Sequence, residues 1–371
     1  MIDTDVLING AGPAGLIAAL NLASTRQVLL IDRRVAPVAR IGESLPPAAR
    51  RLFTDMGLWD DFLRQGHAAC YGNRSLWNGV ATEHDFLRDP DGHGWHLDRA
   101  QFEGWLRGHA VQRGATLMTA TTVASVLAVE KGWQVMLDTS TRSVEVRAKL
   151  LIDGSGRAAT LGKQLGARRQ RHDPLVCLWL YGRDHSGVVD SRSHIEAVEH
   201  GWWYSASLPS KRRALAFHTD ADLPVARLLR SPGALLTAAM ATTEIAAQLT
   251  AAGFVIDADI HTTAAHSAAL QPAVGSRWCA IGDAALSFDP LASQGLFNAM
   301  YTGLAAALAC DQRLAGNAAA FDDYGHDLRR IEAAYLQRLD FWYGQEKRWP
   351  DAAFWKRRQA HSGVGQPMSI S

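Results

Sequence analysis

Apolar residues arrive in short blocks at the start of the chain. Residues 4–9 (TDVLIN) and 27–31 (QVLLI) are compact apolar runs of the length that buried parallel strands use. Between them, residues 16–24 are rich in Ala and Leu, the pattern of a buried helix. A strand–helix–strand unit is therefore expected. A double proline at 46–47 opens a helix over 48–56 that Gly57 can cap, and residues 100–113 place Phe102, Trp105, Leu106 and Ala110 near helical spacing. Residues 70–96 alternate with turn signals and are expected to visit a second domain. Residues 121–127 and 133–137 read as strands of a small antiparallel sheet, and 150–152 as a buried strand. From about residue 171 the character changes: strands at 175–181, 201–207 and 213–218 precede an alanine-rich helical stretch over 233–252. Residues 277–281 return as a buried strand, and helical patterns fill much of the C-terminal third.

The first unit carries chemistry. Gly10, Gly12 and Gly15 follow the first strand in G-x-G-x-x-G spacing, with Pro13 where a first helical turn tolerates it. Such glycines permit a tight turn, close approach of backbone to a pyrophosphate, and close helix–strand packing, while the helix N-terminus favours negative charge. Asp32 ends the second strand, where a carboxylate can accept hydrogen bonds from ribose hydroxyls. Two later segments also end buried strands: Asp153-Gly-Ser-Gly-Arg157, and Gly282-Asp283 followed by Asp289-Pro290 and Gln294-Gly295. Their order suits one dinucleotide held by widely separated stretches of chain.

The expected fold is α/β. A Rossmann-like dinucleotide-binding domain of glutathione-reductase type takes residues 1–70, 97–170 and 271–330. It is interleaved with a smaller mixed β-sheet/α substrate domain over 71–96 and 171–270, and 331–371 form a helical C-terminal segment. A formal net charge of +1 with no long basic run gives no electrostatic case for nucleic acid or a membrane surface. Cys70, Cys177, Cys279 and Cys310 are widely separated and lack the spacing of metal ligands, so free thiols and no metal are expected. No apolar stretch is long enough to span a bilayer, and the first strand begins too near Met1 to leave room for a signal peptide, so a cytoplasmic location is expected.

With these residues in view, the chain resembles the FAD-dependent monooxygenase superfamily, which includes aromatic hydroxylases and flavin-dependent halogenases. The resemblance covers most of the chain. It implies FAD held by Gly10, Gly12, Pro13, Ala14 and Gly15 with Asp32, and by Arg33, Arg40 and Ser44 in the loop that follows. It adds Arg99 at a helix start, Val123, Asp153 and Gly154, then Gly282, Asp283, Pro290, Gln294, Gly295 and Leu296. The element Gly42-Glu-Ser-Leu-Pro46 resembles the G-E-[SA]-[TL] element of halogenases and their relatives. Residues 71–77, 92–99, 346–350 and 354–355 resemble a halogenase-like subgroup that includes flavoproteins maturing tryptophylquinone cofactors by oxidising a tryptophan of a partner polypeptide.

Two departures set the functional expectation. Residues 42–77 contain no lysine, whereas tryptophan halogenases carry a catalytic one after this element, and Arg74 is the nearest cation in 69–77. Their W-x-W-x-I-P signature is replaced by Gly201-Trp-Trp-Tyr-Ser-Ala-Ser-Leu-Pro209. The expectation is an FAD-dependent monooxygenase that hydroxylates an aromatic substrate, tryptophan or peptidyl-tryptophan included, through a flavin C4a-hydroperoxide and molecular oxygen. Halogenation, an isoprenoid-type flavin reductase, and a non-catalytic flavin-binding maturation protein are the alternatives. Glu43 is a candidate catalytic acid or a loop anchor, and His96 a candidate acid–base group or a turn cap. Trp77, Trp202, Trp203 and Tyr204 are candidates for an aromatic substrate pocket, although alternation along a strand makes at least one of the last three ordinary core. No second G-x-G-x-x-G exists, so reducing equivalents come from NAD(P)H bound transiently or from a separate flavin reductase.

Overall fold

The computed structural model describes residues 1–188 and 190–359. Two eight-stranded sheets organise them. The first is centred on strand Ile2–Asn9, which pairs in parallel with Ser143–Asp153 on one side and Val28–Ile31 on the other. Trp278–Ala280 and Thr116–Met118 extend it, again in parallel. Val6, Leu7 and Ile8 are all buried, as a strand covered on both faces requires. The antiparallel hairpin Thr122–Val129 and Gly132–Asp138 forms as expected, yet it is no separate sheet: it joins the first one through Ser143–Asp153.

Helix Pro13–Leu22 follows the first strand and buries nearly every side chain, because helices Arg99–Gln112 and Gly295–Leu314 both pack on it. A Cβ on Gly303 would stand 2.3 Å from the Ala14 carbonyl oxygen, so the crossing with the later helix needs glycine there.

The second sheet runs Phe254–Ile256, Leu175–Asp184, Arg212–Asp220, Gly201–Leu208, Ser193–Val198, Gly72–Trp77, Val80–Asp85. All its pairs are antiparallel except that between Ser193–Val198 and Gly72–Trp77. The side chains split by period two. Leu178, Leu180, Trp203, Leu215 and Phe217 meet helices Pro232–Met240 and Glu244–Ala252 on one face. Cys177, Tyr181, Trp202, Ala214 and Ala216 lie on the other, towards the C-terminal helices.

Several expectations are corrected. The strand Gly94–His96 lies outside the second sheet and pairs instead with Ser44–Leu45 and Ala68–Cys70. Strand Ser193–Val198 was not anticipated, and the alanine-rich stretch is two helices. Glu196 explains the break: its carboxylate accepts the N–H groups of Thr243, Glu244 and Ile245 at 2.9, 2.8 and 2.9 Å, capping the second helix from outside. The boundary at 331 falls inside a continuous helix, Ala320–Gln345, and of the C-terminal segment 360–371 lie outside the described residues.

Candidate functional site

The three glycines of the first loop do three different jobs. Gly10 has φ +114°, and a Cβ there would meet the Gly154 carbonyl oxygen at 2.3 Å. Gly15 lies so close beneath it that its Cβ would be 1.9 Å from the Gly10 carbonyl oxygen. Gly12 faces open space: among the described residues other than its chain neighbours, only the Arg40 Nη2, at 3.8 Å, comes within 4 Å of where its Cβ would stand. Helix Pro13–Leu22, with Pro13 and Ala14 in its first turn, has no side-chain cap and no acid there. A bare helix N-terminus behind an open glycine fits a dinucleotide pyrophosphate.

Asp32 ends the second strand, half-buried. Its Oδ1 accepts the Arg34 N–H at 2.8 Å and its Oδ2 accepts from Arg107 at 2.7 Å, which leaves lone pairs for sugar hydroxyls. Arg33 beside it is exposed. Val123 opens the hairpin close by, two residues after Thr121, whose N–H donates to the Asp32 carbonyl at 3.0 Å. Arg40 and Arg99 share one carboxylate, Glu103, with the Arg99 bond at 2.7 Å. Arg99 is buried, donates also to the Gly42 carbonyl, and leaves its Nε unpartnered. Burial and then Arg40 lower its pKa. Arg107 and Glu103 were missed from the sequence, although Glu103 lies four residues after Arg99 on one helix face.

The second motif behaves differently from expectation. Asp153 is buried, with Oδ1 taken by the Ser155 N–H (3.0 Å) and hydroxyl (2.6 Å) and Oδ2 by the Gly162 N–H (2.7 Å). Both oxygens therefore build the turn and the start of the next helix. Gly154, whose N–H donates to the Asn9 carbonyl at 2.9 Å, is the residue that touches the first loop.

The third motif sits across from the first. Gly282 has φ +54° and its Cβ would be 2.9 Å from that of Ala14. Asp283 is partly exposed and pairs with Arg157 at 3.4 Å, while Arg169, also missed, donates to its carbonyl at 2.8 Å. Helix Gly295–Leu314 begins five residues after Pro290, which belongs to a short 3-10 turn, and Ser293 adopts φ 50° before Gln294. Leu296 packs into the core, so only its backbone can face a ligand.

Asp289 is the most heavily bound residue of this loop. Its N–H donates to the Tyr335 hydroxyl at 2.7 Å, its Oδ1 accepts the Leu291 N–H at 2.9 Å, and its Oδ2 accepts the Tyr343 hydroxyl at 2.7 Å. Tyr343 in turn accepts the Trp202 indole N–H at 3.1 Å. Burial, with Asp173 adding, pushes the Asp289 carboxyl up to about 7.

Glu43 directly precedes the short strand Ser44–Leu45 and is fully buried. Its Oε2 accepts the Gly42 N–H and its Oε1 has no partner. Burial pushes its carboxyl up to about 7 against the pull of its own backbone N–H, of the Gly42 N–H and of Arg99. Ser44, next to it, is half-buried and pairs with His96. His96 caps no turn: it lies on a strand, fully buried, with Nε2 2.8 Å from the Ser193 hydroxyl. Burial holds it down to about 4, so it is neutral near pH 7.

The proposed aromatic wall divides. Trp203 faces the outer helices with Phe217 and is core. Trp202 is buried, stacked on His218 at 3.7 Å and tied to Tyr343, so it is core on the inner sheet face. Trp77 is half-buried, packs edge-on to Trp355 at 5.4 Å and donates to the Trp342 carbonyl at 3.1 Å. Tyr204 is half-buried with its hydroxyl buried and unpartnered, on the same sheet face as Tyr181, which sequence reasoning missed. Arg74 is no stand-in for a lysine: it pairs with Glu83 and, at 2.7 Å, with Glu244 on the outer helix. Every lysine of the chain, Lys131, Lys149, Lys163, Lys211, Lys347 and Lys356, is exposed.

Several known proteins are similar to this chain. The putative FAD-dependent oxidoreductase LodB of Marinomonas mediterranea is 29% identical over 97% of this chain and 98% of its own length. The flavin-dependent halogenase armH3 of Armillaria mellea is 26% identical over 91% of this chain and 73% of its own. Among solved structures, the myxobacterial chondrochloren halogenase CndH superposes with TM-score 0.88 at 23% identity, covering 96% of this chain and 86% of that one. The peptidyl tryptophan dihydroxylase QhpG does so with TM-score 0.71 at 22% identity, covering 96% and 79%. At such identities the structures speak for the fold. Several relatives are named as halogenases, so sequence similarity backs the halogenase alternative better than the expected hydroxylation. The family described as FAD binding domain matches residues 3–339, and the chain belongs to it.

Proposed function

We propose that this protein is an FAD-dependent monooxygenase that inserts oxygen into an electron-rich aromatic ring, with a tryptophan side chain, free or within a polypeptide, as the substrate type. When bound, reduced flavin activates molecular oxygen for transfer to such a ring. The chain's residues would do the rest. The open face of Gly12 and the helix behind it take the pyrophosphate. Asp32 faces the ribose. Arg99, Arg40 and Glu103 hold the loop leading to Glu43, and Tyr335 and Tyr343 fix Asp289 and the loop that enters helix Gly295–Leu314. Tyr181, Tyr204 and Cys177, on one face of the second sheet, would keep water from the reacting centre.

One observation carries the choice of oxygenation. Every lysine is exposed and Arg74 is occupied on the outer face, so no buried amine is available to carry hypohalous acid. Similarity to named halogenases favours the second reading, halogenation of the same kind of ring. The likeness to QhpG, a peptidyl tryptophan dihydroxylase, supports the first. The reductant is proposed to be a separate flavin reductase or NAD(P)H. No helix among the described residues is long and apolar enough to cross a membrane. The test is to supply purified holoprotein with a flavin reductase, oxygen, bromide and tryptophan or a tryptophyl peptide. Hydroxylated product at unchanged yield with or without bromide supports oxygenation. Brominated product above a free-flavin control establishes the second reading.

A further inference from the structure

We propose that the cleft lined by Lys131, Lys149, Arg277 and Arg313 binds a small anion carrying at least two negative charges, a diphosphate group free or esterified, apart from the flavin. The cleft measures about 210 Å³ and is completed by Leu150 and Leu314. The inference stands whichever reaction the flavin performs.

In a chain whose 38 basic and 37 acidic residues nearly balance, four cations and no acid line this one cleft among the described residues. They come from four separate stretches: the turn between Thr122–Val129 and Gly132–Asp138, strand Ser143–Asp153, the loop before Trp278–Ala280, and the last turn of helix Gly295–Leu314. Hydrogen bonds pin those stretches together. The Arg277 carbonyl accepts the Trp133 indole N–H at 3.0 Å and the Leu151 N–H at 3.1 Å, while the Arg277 Nη1 donates to the Glu130 carbonyl at 2.9 Å. Arg313 donates from Nε to the Ser276 carbonyl at 3.3 Å. The cations are therefore held near one another despite their repulsion, which a bound anion offsets. Little within the chain neutralises them. Lys149 pairs with Asp5 at 2.7 Å, but Lys131 has no ion-pair partner among the described residues, and Arg313 uses only Nε, on a neutral carbonyl. A helix C-terminus favours a nearby cation, which accounts for Arg313 and not for the other three. Free guanidinium nitrogens and ammonium groups are the donors that phosphate oxygens accept from. Sites for drug-sized ligands occupy about 300–1,000 Å³, so this occupant is smaller. The glycine loop follows the C-terminal end of Ile2–Asn9, whereas Arg277 precedes the N-terminal end of a strand running the same way, so the flavin's own pyrophosphate is not the occupant.

The test is calorimetric titration of inorganic pyrophosphate into the FAD-loaded protein, with the flavin's absorbance read to show that it stays bound. Saturable binding is expected. Lys131→Gln combined with Arg313→Gln should weaken it at least about tenfold, the scale of one charge-assisted hydrogen bond. Lys347→Gln combined with Lys356→Gln removes the same charge from exposed positions elsewhere and should leave the affinity within about twofold. Should the cleft pair lower the melting temperature, Lys131→Glu alone, on an exposed turn, supplies the comparison. Adenosine diphosphate titrated in parallel separates the sources: tighter binding than pyrophosphate assigns a nucleotide, and equal or weaker binding assigns the free anion. Absence of saturable pyrophosphate binding overturns the inference, as does binding that expels the flavin. So does binding that the cleft substitutions leave unchanged, or that both pairs of substitutions weaken alike.

Discussion

Gly12 and Gly10 stand two residues apart and should answer a larger side chain in opposite ways. Gly12 has ordinary extended backbone (φ −83°) and open space before it, so Gly12→Val should fold with an unchanged thermal transition and lose FAD affinity by about a hundredfold, since the methyl groups occupy the pyrophosphate's approach. Gly10→Ala collides with the Gly154 carbonyl in a left-handed conformation and should destabilise the fold itself. Flavin content against melting temperature separates the two; full flavin occupancy in Gly12→Val would remove this loop from the site. Asp283→Ala should weaken FAD binding and leave the melting temperature unchanged, because the side chain is partly exposed and pairs only with Arg157 at 3.4 Å among described contacts. Unchanged flavin affinity would make that aspartate purely structural. At this scale the glycine spacing was legible because each glycine has a steric reason that spacing encodes. The carboxylate of Asp153 was not, because a strand-end aspartate looks the same in sequence whether it faces a ligand or folds back on Ser155 and Gly162. Trp203 was misplaced because three aromatic residues in a row do not say which face of the strand is the inner one.

Helix Ala320–Gln345 reads in sequence as packing, yet two of its tyrosines, eight residues apart, clamp Asp289. Nothing local announces this, since the partners are separated by 46 and 54 residues. Tyr343→Phe removes the hydroxyl shared by Trp202 and Asp289, leaving a buried indole N–H without an acceptor. A loss of roughly 1–3 kcal/mol in urea unfolding is expected. No loss would mean that the clamp is incidental. The same clamp gives a pH signature. Asp289 ionises at about 7 in the folded chain against 3.8 ordinarily, so the folded state binds the extra proton between those values. Stability therefore falls as pH rises from about 4 to about 7, by at most about 1.4 kcal/mol per pH unit from this group. Glu43 acts in the same direction, while half-buried His67 and buried His96, His218 and His266, all held low, act oppositely below about pH 6.5. Comparison with Asp289→Asn cancels those contributions. The stability of wild type relative to the variant should decline across pH 4–7, and a flat difference would refute the assignment.

For the whole molecule, the sequence carried the architecture because a flavin laid across a discontinuous domain leaves motifs at three fixed places along the chain. The choice between oxygenation and halogenation lies elsewhere, in which cations are buried and which are spent on surface pairs, and only the folded chain shows Arg74 held by Glu83 and Glu244. The most direct test is a single turnover. Holoprotein reduced without air is mixed with heavy-isotope oxygen gas, bromide and a tryptophyl peptide, and the peptide's mass is read. Oxygenation predicts a peptide carrying heavy oxygen taken from the gas, with no bromine attached. A peptide carrying bromine and no heavy oxygen would contradict it, and would place this chain with the halogenases it resembles.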